Sequence, residues 1–171
     1  SIFMNSKFLF IIAFIAMTTS STAQTNTWDK CKWLIGDWVG EGSGKPGEGK
    51  GWFSLKEDLS GKVLVRKNHS EYPAANGKPE TIHDDLMIIY TDNNGDPSKA
   101  VYFDNERHTI NYSISYTGTT IIFMSDKIPN APVFRLTYTA INTDTVDIKF
   151  EMSQDGEKFM TYTDGKCSRK K

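Results

Sequence analysis

His108-Thr109-Ile110-Asn111-Tyr112-Ser113-Ile114-Ser115-Tyr116 alternates without a break: His108, Ile110, Tyr112, Ile114 and Tyr116 fall on one side of an extended chain, Thr109, Asn111, Ser113 and Ser115 on the other. A side-chain period of two marks a strand with one dry and one wet face. The pattern recurs downstream, where Phe134, Leu136 and Tyr138 oppose Arg135, Thr137 and Thr139, and Val146, Ile148, Phe150 and Met152 oppose Asp147, Lys149 and Glu151. Between such runs stand turn signals: Ser60-Gly61, Asn76-Gly77, Asn94-Gly95, Thr117-Gly118, Asn142-Thr143-Asp144 and Asp155-Gly156. Short β-branched and aromatic runs at regular spacing predict an all-β sandwich or barrel.

The spacing predicts about ten strands, over Gly36–Gly44, Gly51–Leu59, Lys62–Tyr72, Ile82–Tyr90, Lys99–Asp104, His108–Tyr116, Thr120–Ser125, Val133–Ala140, Val146–Ser153 and Phe159–Thr163. Asp29–Ile35 is read as one short helical turn before the first of them. Short links pair neighbouring strands in sequence order, and an up-and-down sheet loses its two free edges only by closing. The expected fold is therefore a closed antiparallel up-and-down barrel of about ten strands, forming a single domain over residues 24–171.

The N-terminal stretch is read separately. Met4 reads as a natural start, followed by the positive Lys7, the apolar run Phe8–Met17 and the small residues Ser21-Thr22-Ala23. That is the layout of a secretory signal with cleavage after Ala23, so the chain is expected to be exported, periplasmic or extracellular. The apolar run is shorter than the roughly 20 residues a bilayer span requires, and no stable membrane insertion is expected. A formal net charge of −1 offers no field to attract nucleic acid. The two cysteines, Cys31 and Cys167, lie near the two ends of the domain; in an exported chain they are a disulfide candidate, worth about 4–5 kcal/mol if bridged, or else two free thiols.

The segment Leu34-Ile35-Gly36-Asp37-Trp38-Val39-Gly40-Glu41-Gly42-Ser43-Gly44 resembles the opening of lipocalin-like (calycin) barrels, and at this first strand that of nitrobindin-like barrels, through its Gly36-x-Trp38 and alternating glycines. The resemblance implies that Trp38 plugs the closed end and that a basic residue of the last strand, here Arg169, covers it; Gly36, Trp38, Arg169, Cys31 and Cys167 are the structural candidates. Nitrobindin-like barrels hold haem through a late histidine, whereas this chain has none after His108, and no cofactor is expected.

Small closed barrels either fill their interior or hold one small ligand. Four tryptophans and seven tyrosines offer apolar surface with polar tips. A small apolar or amphipathic molecule is the expected partner, lined by Trp52, Arg66, Tyr102, His108, Tyr112 and Tyr138. The facing of Arg66 is open, because Val63 and Val65 oppose Leu64, Arg66 and Asn68; parity places Arg135 outside. Asp104 and His108 flank a tight link and are expected at one rim, where a carboxylate can fix and polarise an imidazole for acid–base chemistry or serve as a structural hydrogen bond. His69, His83 and His108 lack diagnostic metal spacing, and no metal site is expected. No G-x-S-x-G, H-E-x-x-H, G-x-G-x-x-G or Walker pattern occurs. The readings carried forward are a ligand-binding barrel, an enzyme at the barrel mouth, and an interaction scaffold.

Overall fold

The computed structural model describes residues 26–40, 49–75, 77 and 79–171. The expected signal segment, and the first-strand extension and turn expected between Gly40 and Gly49, lie outside the described residues. Ten strands follow in chain order: β1 Gly36–Gly40, β2 Lys50–Asp58, β3 Val63–Tyr72, β4 Thr81–Tyr90, β5 Lys99–Asp104, β6 Thr109–Thr117, β7 Thr120–Ser125, β8 Val133–Asn142, β9 Thr145–Ser153 and β10 Met160–Arg169. Each pairs antiparallel with its sequence neighbours, and β1 joins β10 through Trp38↔Arg169, Val39↔Ser168 and Gly40↔Cys167, so the sheet closes as an up-and-down barrel. Among the described residues the one helical element is a 3-10 turn at Lys32–Leu34, inside the span where a turn was expected.

Several bounds shift by one or two residues, and two strands differ from expectation for clear physical reasons. β10 runs on to Arg169, through Asp164-Gly165-Lys166, residues with little intrinsic strand preference; closure holds them extended, because β9 and then β1 offer them ladder partners. His108 stands before β6 rather than in it, since Arg107 takes a left-handed turn conformation (φ 73°) that ends the pairing.

Alternation sorts the barrel wall. Facing inward and buried are Trp38, Phe53, Leu55, Leu64, Met87, Ile89, Ala100, Tyr112, Ile114, Ile121, Phe123, Leu136, Tyr138 and Val146. Their rings meet in series: Trp38 stacks on Phe53 at 5.9 Å, Phe53 tilts against Tyr138 at 5.6 Å, and Tyr138, Phe123 and Tyr112 follow edge to face. These buried side chains form one apolar cluster in the closed half of the barrel.

The closed end is built by the segment before β1. Trp28 is buried and donates its indole N–H to the Gly61 carbonyl at 2.9 Å, while Trp38 donates to the Leu34 carbonyl at 2.9 Å. Arg169 lies over Trp38, its guanidinium carbon 4.2 Å from the ring centroid. Its Nη1, Nη2 and Nε donate to the carbonyls of Ile35 (2.9 Å), Trp33 (2.7 Å) and Thr143 (3.1 Å). One side chain thus ties the entry segment, the first strand and the β8–β9 turn together. Gly36 makes room for it: the backbone there has φ +138°, and a Cβ would come 2.6 Å from Arg169 Nη1.

The disulfide expectation is corrected. Cys31 and Cys167 are both free thiols. Cys31 belongs to the plug, where its Sγ approaches the Trp28 carbonyl at 3.4 Å, whereas Cys167 lies in the wall against Gly40. Proximity of the two chain ends in sequence order does not bring two particular side chains together. Burial pushes both thiols up to about 11, so both are protonated and slow to react at neutral pH. N-ethylmaleimide is expected to add two adducts after denaturation without reductant, and to react slowly with the native protein; a mass unchanged by N-ethylmaleimide in denaturant would indicate a bridge instead.

Candidate functional site

At the open end the inward-facing side chains change character. On β3 to β5 they are polar: Arg66, Asn68, His83, Asp85, Tyr102 and Asp104. On β6, β8 and β9 they are apolar: Ile110, Phe134, Ile148 and Phe150. Asn68, His83, Tyr102, Ile110, Phe134, Ile148 and Phe150 are all half-buried, so this layer is a mouth with one polar and one apolar wall rather than a continuation of the packed floor. Phe134 and Phe150 stack at 5.7 Å with rings nearly parallel, and the exposed Tyr162 of β10 meets Phe150 edge-on at 6.0 Å.

The polar wall is one connected network. Arg66, on β3, forms an ion pair with Asp85 on β4; both are buried, Arg66 being 6% exposed. Burial alone would weaken the Arg66 charge, but Asp85 more than offsets it, so the guanidinium is held firmly protonated. The aromatic rings of Phe53 and Tyr138 lie 5.7 and 5.8 Å from its central carbon. Two residues nearer the mouth on β4, His83 sits 3.5 Å from the other Asp85 oxygen, 3.0 Å from the Tyr102 hydroxyl and 3.2 Å from Glu106. Tyr102 in turn donates to Asp104 at 3.2 Å.

The carboxylate of Asp104 organises the β5–β6 link. Its Oδ1 accepts the amides of Glu106 (3.0 Å) and His108 (2.9 Å), and its Oδ2 lies 2.8 Å from His108 Nδ1. Burial opposes ionisation here, but those amides and the imidazole outweigh it, and the Asp104 carboxyl is held below its ordinary value. The Asp104 side chain is 3% exposed and that of His108 61%: one belongs to the interior, the other to the rim.

His83 carries the clearest electrostatic signature. Its bond to Asp85, aided by Glu106 and working against burial, raises it to about 9 from an ordinary 6.5. The raised value belongs to the folded state, so the stabilisation is complete below pH 6.5 and is lost as pH rises through about 9. Thermal midpoints are expected to fall across that interval in the parent protein, and to fall less in His83→Gln; equal slopes would remove His83 from the account.

The structure gathers Arg66, Tyr102, Tyr112 and Tyr138 in the interior and brings Asp104 to His108 at the mouth. It does not place Trp52 there. Trp52 and Phe53 are adjacent, only one can face inward, and Phe53 does, against Trp38; Trp52 is 47% exposed on the outer wall, stacked on His69 at 5.9 Å. His69 is held outside by Asp84 (2.7 Å) and Glu71 (3.2 Å), so the three histidines do not converge. Arg135 also lies outside, bonded to Glu151 at 2.7 Å and stacked at 4.0 Å on Phe159. Sequence reading passed over Asp85 because Asp84-Asp85 is a repeated residue on opposite faces; the register His69↔Asp84 and Asn68↔Asp85 is what separates them. Across the outer wall from Trp52, a shallow groove of about 420 Å³ extends over Lys67 and Leu86 to Phe103.

The architecture defines the class: a closed ten-strand antiparallel barrel that fits the lipocalin-like (calycin) fold. No protein-family model matches the chain, and no curated protein matches it.

Proposed function

We propose that this barrel binds a small amphipathic molecule at its mouth, as an exported carrier or receptor without covalent chemistry. The observation that carries the reading is the division of the half-buried inward residues into a polar wall (Asn68, His83, Tyr102) and an apolar wall (Ile110, Phe134, Ile148, Phe150). Ligand sites combine mostly apolar surface with a few placed polar groups, and a barrel whose interior was merely filled has no use for that division. In this reading the site opens at the half-buried layer of the mouth rather than being confined to the deep interior. The ligand lies with its body on Ile110 and the Phe134–Phe150 stack and its polar end toward the polar wall of β3 to β5.

The neutral reporter N-phenyl-1-naphthylamine tests it. Fluorescence is expected to rise with the parent protein, to fall sharply in Ile110→Lys, and to persist in Trp52→Ala. The opposite pattern, loss with Trp52→Ala and persistence with Ile110→Lys, would place binding in the outer groove and favour the interaction-scaffold reading, which rests on the exposure of Trp52 and Phe103 there. No enhancement at all would remove the carrier reading.

The enzyme reading rests on one contact, His108 Nδ1 to Asp104 Oδ2 at 2.8 Å. Against it, Asp104 already serves two backbone amides and Tyr102, which is the work of a turn-organising carboxylate.

A further inference from the structure

Two polar atoms buried inside the barrel have no hydrogen-bond partner among the described residues: Nε of Arg66 and the hydroxyl of Tyr138. Tyr138 is 0% exposed. Groups of this kind are normally paired with protein or water, and leaving one unpaired is costly. They belong to one place. Arg66 projects from β3 toward Tyr138 on β8, one end of its guanidinium held by Asp85 and its central carbon 5.8 Å from the Tyr138 ring centroid. The two are close enough to feel one another, yet no hydrogen bond of normal geometry joins them.

The charges around this spot balance. Arg66 and His83 are the cations and Asp85 and Asp104 the buried carboxylates of the connected network, while Glu106, 3.2 Å from His83, and His108, 2.8 Å from Asp104, stand at the solvated rim with side chains 54% and 61% exposed. A ligand bearing a full negative charge would approach Asp85 and Asp104, and one bearing a full positive charge would approach Arg66 and His83. Either would enter an environment of low dielectric where an uncompensated charge is strongly disfavoured. What the site leaves free is one N–H donor and one hydroxyl able both to donate and to accept.

We propose that the head group recognised at the mouth is uncharged, an amide, carbonyl or hydroxyl oxygen that takes the Arg66 Nε–H and pairs with the Tyr138 hydroxyl, so that the ligand is a neutral amphipath and not an acid or an amine. This rests on the mouth-binding reading above and narrows its substrate class. His83 lies two residues nearer the open end than Asp85 on β4, with its Nε2 3.0 Å from the Tyr102 hydroxyl.

Benzamide, benzoate and benzamidine share one ring and differ in head-group charge, which makes them the test set. Calorimetric titration of the full chain is expected to show benzamide binding at least about tenfold more tightly than either ion, with the Arg66 Nε–H resonance shifting on its addition. Tyr138→Phe removes an unpartnered hydroxyl and is expected to fold normally, yet to lose the preference for benzamide. Benzoate or benzamidine binding as tightly as benzamide would overturn the neutral head group while leaving mouth binding intact. Failure of all three, with N-phenyl-1-naphthylamine still taken up, would mean that water satisfies the two atoms, and would overturn this inference alone. Failure of the three probes and the reporter together would overturn both readings.

Discussion

Replacing Asp85 with alanine is expected to cost about 3–5 kcal/mol of stability, on the order of 10 °C in Tm, and to be the most damaging change in the polar wall. Asp85 is the only carboxylate bonded to Arg66 among the described residues, and it also holds His83 at 3.5 Å. Without it, a guanidinium that is 6% exposed remains charged inside the barrel. The penalty comes from the stranded charge rather than from the strength of the pair, and this makes a second expectation. The double replacement Arg66→Met/Asp85→Leu removes both charges, keeps apolar volume against Phe53 and Tyr138, and is expected to recover most of the loss or exceed the parent. Urea unfolding of the parent, both single variants and the double variant measures this. A double variant no better than the sum of the singles would show that the pair does not act as a unit.

Trp38→Ala is expected to cost about 3–5 kcal/mol. Trp38 is buried, stacked on Phe53, bonded through its indole N–H to Leu34, and roofed by Arg169. Its removal opens a cavity at the point where β1 closes the barrel on β10, a junction made by three residue pairs among the described residues. The unfolding midpoint is therefore expected to drop sharply. Arg169→Met, which keeps apolar cover over the ring but loses three hydrogen bonds to backbone carbonyls, is expected to cost less, about 1–3 kcal/mol. If Arg169→Met proved the more damaging, the closed end would be held by the guanidinium and its carbonyl partners and not by the indole.

How much of this was legible in the sequence follows from which signals are local. Alternation along His108–Tyr116, Phe134–Tyr138 and Val146–Met152 is local, and it set those dry faces. Chain order and short links set the up-and-down topology, and the opening around Gly36-x-Trp38 pointed to the closed end. What stayed hidden depends on register. Trp52-Phe53, Asp84-Asp85 and Val65-Arg66 each place similar or competing residues at adjacent positions, and only the cross-strand partner decides which faces inward. Phe53 is fixed by pairing with Trp38, and Arg66 by pairing with Leu55 and Met87. The polar wall is assembled from three strands, so no single segment displays it. The thiols show the same limit from the other direction: a plausible pairing of chain ends says nothing about the direction of two side chains.

The most direct test of the central claim is native mass spectrometry of the protein purified from the cells that make it or from their medium. A bound species of small mass, released on denaturation, uncharged at neutral pH and absent from Ile110→Lys prepared in the same way, is the predicted result. A mass equal to the bare polypeptide from the parent protein, under conditions gentle enough to keep the barrel folded, would contradict it.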